Sequence, residues 1–280
     1  MVIRVMLTLY CKLFFLSLNY GQGFPPRFYN TSPFLKSFML AMHLLRSNNT
    51  AFDPKFFLSQ LGALLSKAKR QTFVINKPHD AAEVLGYILD ELRPCSALPT
   101  NLFKCSLNTS TSCTECQCTS TTEESHNIIR IVAASSIQQA VSCLQQTNML
   151  EGENMWQCPQ CNDKREAIMK TRFASVPAVL ILQIERFTQI SPTQTIKNTM
   201  AVSPNTPLTI FFQADDEIYS KSIYSLRAVV HHSGSMNSGH YTASVLDLKQ
   251  KKWFKCNDKA VFEDTSIDKK TSYLLFYVQN

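Results

Sequence analysis

Apolar positions fall at helical spacing over the first third of the chain and at strand spacing over the last. Pro33 to Arg46 (PFLKSFMLAMHLLR) is apolar on most faces and predicts a buried helix. From Pro54 to Lys69, the residues Phe56, Phe57, Leu58, Leu61, Leu64 and Leu65 mark a second helix. Pro78 opens a third over His79 to Leu92, and Pro94 closes it. Between Leu102 and Thr122 the composition turns to Ser, Thr and Cys, too polar to pack a core unaided. Ile128 to Ala133 predicts a strand and Ser136 to Gln145 a short helix. Strands then follow at Ala178 to Phe187, Leu208 to Phe212, Tyr224 to His231, Tyr241 to Leu246, Trp253 to Cys256 and Tyr273 to Gln279. Helices first and strands later predict an α+β domain, without internal repeats or a clear interdomain linker.

Composition narrows the function classes. The chain has 280 residues, 45% hydrophobic and 18% charged, which fits a globular protein with a real core. The net charge of +7 is spread over 28 Lys and Arg without a cluster, so neither a nucleic-acid arm nor a polybasic membrane anchor is expected. Val5 to Leu18 is strongly apolar, but it is too short to span a bilayer, and Lys12 interrupts it. No small-residue cleavage site follows it, which argues against secretion despite sequons at Asn30, Asn48 and Asn108. Paired cysteines point to a reducing compartment, the cytoplasm or nucleus.

Those pairs are the strongest physical signal. Cys113-Thr-Glu-Cys116 and Cys158-Pro-Gln-Cys161 each place two thiolates on one tight turn, and together they complete the tetrahedron that Zn²⁺ prefers. Each knuckle is expected to tip a β-hairpin, with a structural metal pinning the two. The alternatives are thioredoxin-type redox pairs or unconnected surface cysteines; two pairs of equal spacing favour metal. Cys118 adds a neighbouring thiol able to substitute as ligand.

Near the C-terminus, Ser233 to Gly239 forms a Ser- and Gly-rich loop leading to His240, and the strand from Trp253 brings Asn257 and Asp258 alongside. A histidine oriented by Asn or Asp is the base half of a Cys-His-Asn/Asp triad, although a histidine in a β-rich core is more often structural.

The segments Gly239-His-Tyr-Thr-Ala243, Trp253-Phe-Lys-Cys-Asn-Asp-Lys-Ala-Val261 and Ser272-Tyr-Leu-Leu-Phe-Tyr277 resemble the histidine box of the ubiquitin-specific protease family. Pro78-His-Asp-Ala-Ala-Glu-Val-Leu85, the two cysteine knuckles and Val179 to Phe187 (VLILQIERF) match further family motifs in the same order. The resemblance is specific from about Asn76 to the end. It implies a papain-like cysteine protease fold of this family's type: a helical thumb over 30–100, zinc-bearing fingers over 101–175 and a β palm with the histidine box over 176–280, with 1–29 unassigned. It also implies hydrolysis after the C-terminal glycine of ubiquitin, with ubiquitin and ubiquitinated proteins as partners and structural zinc as cofactor. His240, Asn257 and Asp258 are the implied catalytic residues. Asp80, Glu83, Gly239 and Tyr241 are the implied ubiquitin contacts, the two acids facing the basic ubiquitin tail. Acidic residues at a helix start are also favoured by the helix dipole alone.

One part of the pattern is missing. The family's nucleophilic cysteine sits at a helix N-terminus inside an Asn- and Gly-containing box. Aligned on Asn19-Tyr-Gly-Gln-Gly-Phe24, the cysteine position falls on Phe24, with Asn19 as the oxyanion residue. Aligned on Asn30-Thr-Ser-Pro33, it falls on Ser32 or Pro33. Neither alignment contains a cysteine. Cys11 lies in an apolar run without that context, Cys256 adjoins Asn257 and points to the opposite strand face, and serine is a weak nucleophile. The chain as it stands is therefore expected to be inactive: either a ubiquitin-binding pseudoenzyme or scaffold, or an enzyme whose first thirty or so residues replace the segment that carried the cysteine.

Overall fold

Side-chain alternation along three strands sets the architecture. The computed structural model describes residues 33–34, 36–38, 40, 55–67, 79–92, 102–192, 194–215, 218–236, 238–258 and 260–280. Residues 33–34, 36–38 and 40 are helical, followed by α1 (Lys55–Lys67) and α2 (Ala81–Leu92). The remaining elements are β1 (Cys105–Cys113), β2 (Thr119–His126), β3 (Ile129–Val132), α3 (Ile137–Leu144), β4 (Thr147–Leu150), β5 (Trp156–Cys158), β6 (Asp163–Arg165), β7 (Ala167–Ser175), β8 (Val179–Glu185), β9 (Phe187–Ser191), β10 (Gln194–Lys197), β11 (Leu208–Asp215), β12 (Ile218–Gly234), β13 (Gly239–Asp247), β14 (Lys252–Asn257), β15 (Ala260–Asp264) and β16 (Ser272–Gln279).

Twelve strands form one sheet in the order β15-β14-β13-β12-β11-β7-β1-β2, with β16 joining β12 to β8, β3 beside β8 and β4 beside β7. The centre strands are buried on both faces, so they read as apolar runs (VLILQI in β8, YLLFYV in β16) rather than as alternation. Val179, Ile181, Ala228, Val230, Leu274 and Phe276 face a core shared with Phe34, Phe38, Phe57, Leu61 and the apolar side of α2. The alternate positions Leu180, Leu182, Ile184, Val229, Leu275 and Tyr277 face a second core closed by Ile137, Ala140 and Val141 of α3. The sheet is thus sandwiched between helices, and its period of two sorts residues between the cores.

β12 is the trunk. Its first part pairs with β11, its second with β13, and β16 runs along 224–231. The polar 102–122 stretch, expected to lack core-packing power, forms the long strands β1 and β2, and β2 is exposed almost throughout. Hydroxyl ladders such as Ser112–Thr119 and Thr109–Thr171 replace apolar contacts there. Among the described residues no helix is long and apolar enough to cross a membrane.

Two buried polar groups tie the centre together. Arg186 is 1% exposed and donates to the carbonyls of Ser272, Asn198, Met200 and Lys269, four acceptors that offset the desolvation of its charge. His231 is equally buried, with Nε2 on Ser244 Oγ at 2.9 Å and Nδ1 on Thr271 Oγ1 at 3.2 Å. Burial, reinforced by the nearby Lys255 charge, pushes the His231 imidazole down to about 4. Its folded pKa lies below its unfolded value, so the unfolded chain binds the extra proton, and stability is lost as pH falls through the window from 6.5 to about 4. Chemical denaturation is expected to show a loss of roughly 1 kcal/mol between about pH 7 and about pH 5.5 that a His231→Asn variant lacks.

Candidate active site and metal centre

The hairpin of β12 and β13 delivers the histidine. Its ladder runs to the tip, with His232 opposite Tyr241, Ser233 opposite His240 and Gly234 opposite Gly239, so the connecting turn is shorter than the 233–239 loop expected from the sequence. Gly234 has φ of +98°, and a Cβ there would meet the Ser238 carbonyl oxygen at 2.4 Å. A Cβ on Gly239 would stand 2.2 Å from His232 Nε2. Both positions therefore need glycine for the strands to close behind His240.

His240 begins the exposed end of β13. Its Nε2 lies 2.7 Å from Asn257 Oδ1, the last residue of β14, and 3.9 Å from Asp258 Oδ2. An amide oxygen only accepts, so Nε2 carries the proton and Nδ1 holds the lone pair. That is the tautomer of a general base with Nδ1 as its reactive atom. Asp258, in the left-handed region at φ of 49°, turns the chain and places its carboxylate as the weaker second partner. Cys256 packs against the helix-side core while Asn257 reaches His240, so the strand separates the two side chains as expected. Asn19, Phe24 and Ser32, like Cys11, lie outside the described residues; Pro33 is helical.

The implied ubiquitin contacts divide. Asp80 Oδ1 caps α2, accepting from the backbone N–H of Ala82 at 2.8 Å and of Glu83 at 2.9 Å. Its Oδ2 accepts from the hydroxyls of Tyr273 at 2.6 Å and Tyr241 at 3.3 Å. Burial first, and the Asp80 charge second, raise both phenols above their ordinary range, so they stay donors. Glu83 is exposed and accepts from Tyr87. With Asp80, Asp90, Leu107, His126 and Arg130 it lines a cleft of about 580 Å³ between α2 and the β2–β3 turn.

Sequence reasoning gave no role to His232 or Tyr273, although Tyr273 stood inside a quoted motif. They form an aromatic cluster with Phe187 and Tyr241: the His232 ring lies 4.7 Å from Tyr241, 5.3 Å from Phe187 and 6.2 Å from Tyr273. Lys197, which no motif marked, meets the edge of the His232 ring, with Nζ 3.1 Å from Nδ1, and lies over the Phe187 ring.

Far along the sheet, the knuckles tip two hairpins as predicted. Cys113 ends β1 and Cys158 ends β5, with Cys116 and Cys161 on the following turns. The four Sγ atoms lie within 4.8 Å of one another, and Cys116 and Cys158 approach to 3.5 Å. Tetrahedral zinc with bonds of about 2.3 Å separates its sulfurs by about 3.8 Å, so this donor set fits such an ion with little adjustment. Cys118 is not one of the four, but its carbonyl accepts the Cys113 N–H. The four cysteines can hold a metal.

The family model for ubiquitin carboxyl-terminal hydrolase matches residues 18–277. The chain belongs to that family. Ubiquitin carboxyl-terminal hydrolase 5 of Arabidopsis thaliana is 31% identical over 131 residues, covering 45% of this chain and 14% of the relative. A probable ubiquitin carboxyl-terminal hydrolase of Acanthamoeba polyphaga mimivirus, R319, is 30% identical over 136 residues, covering 47% of this chain and 29% of the relative. The match thus spans less than a third of either relative's length. A solved SAGA Ubp8/Sgf11/Sus1/Sgf73 DUB module bound to ubiquitin aldehyde shares the fold, with TM-score 0.73 and 22% identity over 89% of this chain and 60% of that one. The papain-like ubiquitin-specific protease fold expected from the motifs is therefore the fold of this hydrolase-family chain.

Proposed function

We propose that this chain is a deubiquitinase-type domain that grips ubiquitin by its C-terminal tail but, as it stands, does not cleave it. The observation that carries the reading is the His240–Asn257 pair, a formed base in a sequence with no cysteine at Phe24, Ser32 or Pro33. Nδ1 is free to accept a proton, but without a thiol beside it no thiolate forms to attack the scissile carbonyl, and loss of a nucleophile removes most of the rate enhancement, several powers of ten. Family membership and the shared fold of a module bound to ubiquitin aldehyde support ubiquitin as the ligand.

In this reading Glu83 and Asp90 offer carboxylates to the basic tail. Tyr241 and the backbone of Gly239 flank it on either side of His240. Asp80 acts behind them, since its oxygens are taken up by the helix cap and two tyrosines. Structural zinc on Cys113, Cys116, Cys158 and Cys161 fixes the finger tip and takes no part in proton transfer. Ubiquitinated proteins of the cytoplasm or nucleus are the corresponding partners, with no nucleic acid or membrane among them.

The test uses the purified, zinc-loaded chain and ubiquitin bearing a thiol-reactive C-terminal electrophile. Intact mass is expected to show no covalent adduct, while titration calorimetry with unmodified ubiquitin shows reversible binding. An adduct mapped to a single cysteine, Cys11 included, would make the protein an active thiol hydrolase. Absence of binding would remove the ubiquitin reading altogether.

A further inference from the structure

A lysine far from the histidine box in sequence converges on it in space. Lys197 ends β10, and the next residue along is held by the buried Arg186: the Asn198 N–H donates to the Arg186 carbonyl at 2.6 Å, and the Arg186 guanidinium donates to the carbonyls of Asn198 and Met200. From that fixed base the Lys197 ammonium reaches the tip of the β12–β13 hairpin. It donates to the His232 carbonyl at 2.8 Å, the Gly234 carbonyl at 2.8 Å and His232 Nδ1 at 3.1 Å. An ammonium has three N–H groups and no acceptor, so these three contacts use all of them and force the lone pair of His232 onto Nδ1. His232 is then the neutral Nε2–H tautomer, in line with burial and the Lys197 charge both lowering its affinity for a proton. The far edge of the same ring lies where a side chain on Gly239 would be, 2.2 Å from the Cβ position. Gly239 is the residue before His240.

We propose that Lys197 is a positioning residue for His240: its ammonium pins the outgoing strand through two carbonyls and, through the His232 ring, seats the returning strand at Gly239, which holds His240 against Asn257. The proposal rests on His240 being the base of the site. Among the described residues no carboxylate shares the ammonium, so the contact is spent on backbone position rather than on charge neutralisation. The fit depends on one nitrogen with three divergent donors. A planar guanidinium would present its donors as a fork and could not reach three acceptors converging on one point.

The test is imidazole ¹⁵N and amide-exchange NMR on the full chain, comparing wild type with Lys197→Met and Lys197→Arg. Wild type is expected to show His232 and His240 each as a single Nε2–H tautomer. Both variants are expected to show a mixture at His240 and at least tenfold faster amide exchange at Gly239 and His240, with β16 protection unchanged. A wild-type His240 signature in Lys197→Met would overturn the proposal. So would full restoration by Lys197→Arg, which would make charge rather than three-point geometry the cause, and so would loss of β16 protection, which would make the role global. Ubiquitin binding by the wild type is measured separately: its absence alongside the expected NMR changes breaks the ubiquitin reading and leaves the positioning intact.

Discussion

Replacing Cys158 by serine is expected to abolish stoichiometric zinc and melt the finger tip while the central sheet stays folded. Cys158 is fully buried and its sulfur lies 3.5 Å from that of Cys116, on the other hairpin. Little else ties the β5–β6 hairpin to the tip of the β1–β2 hairpin. β5 and β6 pair over only three residues each in a sheet of their own, and so short a hairpin is not stable by itself in water. β2 brings almost no buried side chain. Across the gap run one ion pair, Arg165 with Glu115, and the backbone contact of Thr114 N–H to the Glu166 carbonyl. Exposed ion pairs contribute little. Structural zinc binding in comparable four-ligand sites is worth roughly 10–16 kcal/mol, and serine, a neutral alcohol at neutral pH, does not replace the lost thiolate. Elemental analysis should find one zinc per wild-type chain and less than about a tenth of that in the variant. Hydrogen exchange should rise at 113–118 and 156–165 but not in β8, β12 or β16. Wild-type protein that carries no zinc yet protects those amides would refute the metal centre.

Asp80→Ala is expected to destabilise the fold by roughly 2–4 kcal/mol, of which the helix cap is about 1 and the two tyrosine hydroxyls left without their acceptor supply the rest. The size of the effect comes from where Asp80 stands. One carboxylate oxygen ends α2, and the other accepts from residues 161 and 193 positions away, so a single side chain joins the helix layer to β13 and β16. Asp80→Asn keeps an oxygen for the cap and should recover at least half of the loss. Urea denaturation at neutral pH reads both variants. A cost below about 1 kcal/mol for the alanine variant would mean that the cap acts alone and the tyrosine contacts add nothing.

How legible these features were in the sequence depended on what signal each residue left. Cys113, Cys116, Cys158 and Cys161 announced themselves because metal ligation demands fixed local spacing, and the structure gathers all four. His240 and Asn257 stood out through the resemblance of their segments to the family's histidine box, and the structure brings the two within 2.7 Å. β8 and β16 were legible as strands because they are apolar on both faces. β1 and β2 were legible only as the hairpin expected beneath the first knuckle, and their length was not, since strands this polar have no hydrophobic period to read. The same holds for the exposed β9–β10 hairpin, which supplies Lys197. Asp80 was read both as a contact for a basic tail and as an acid favoured at a helix start; that its oxygens cap α2 and accept from two tyrosines was visible only in the fold.

The sequence by itself determined the α+β class, the pairing of cysteines by spacing, the family, and the identity of the histidine and its amide partner. Each of these is carried by residues close together in the chain, or by patterns whose period is set by backbone geometry. The tertiary structure alone decided which tautomer His240 holds, that Asp80 crosslinks a helix to two distant strands, and that Lys197 braces the histidine hairpin. Those are contacts between residues 17 to 193 positions apart, and their chemistry appears only once the sheet brings them within hydrogen-bond distance.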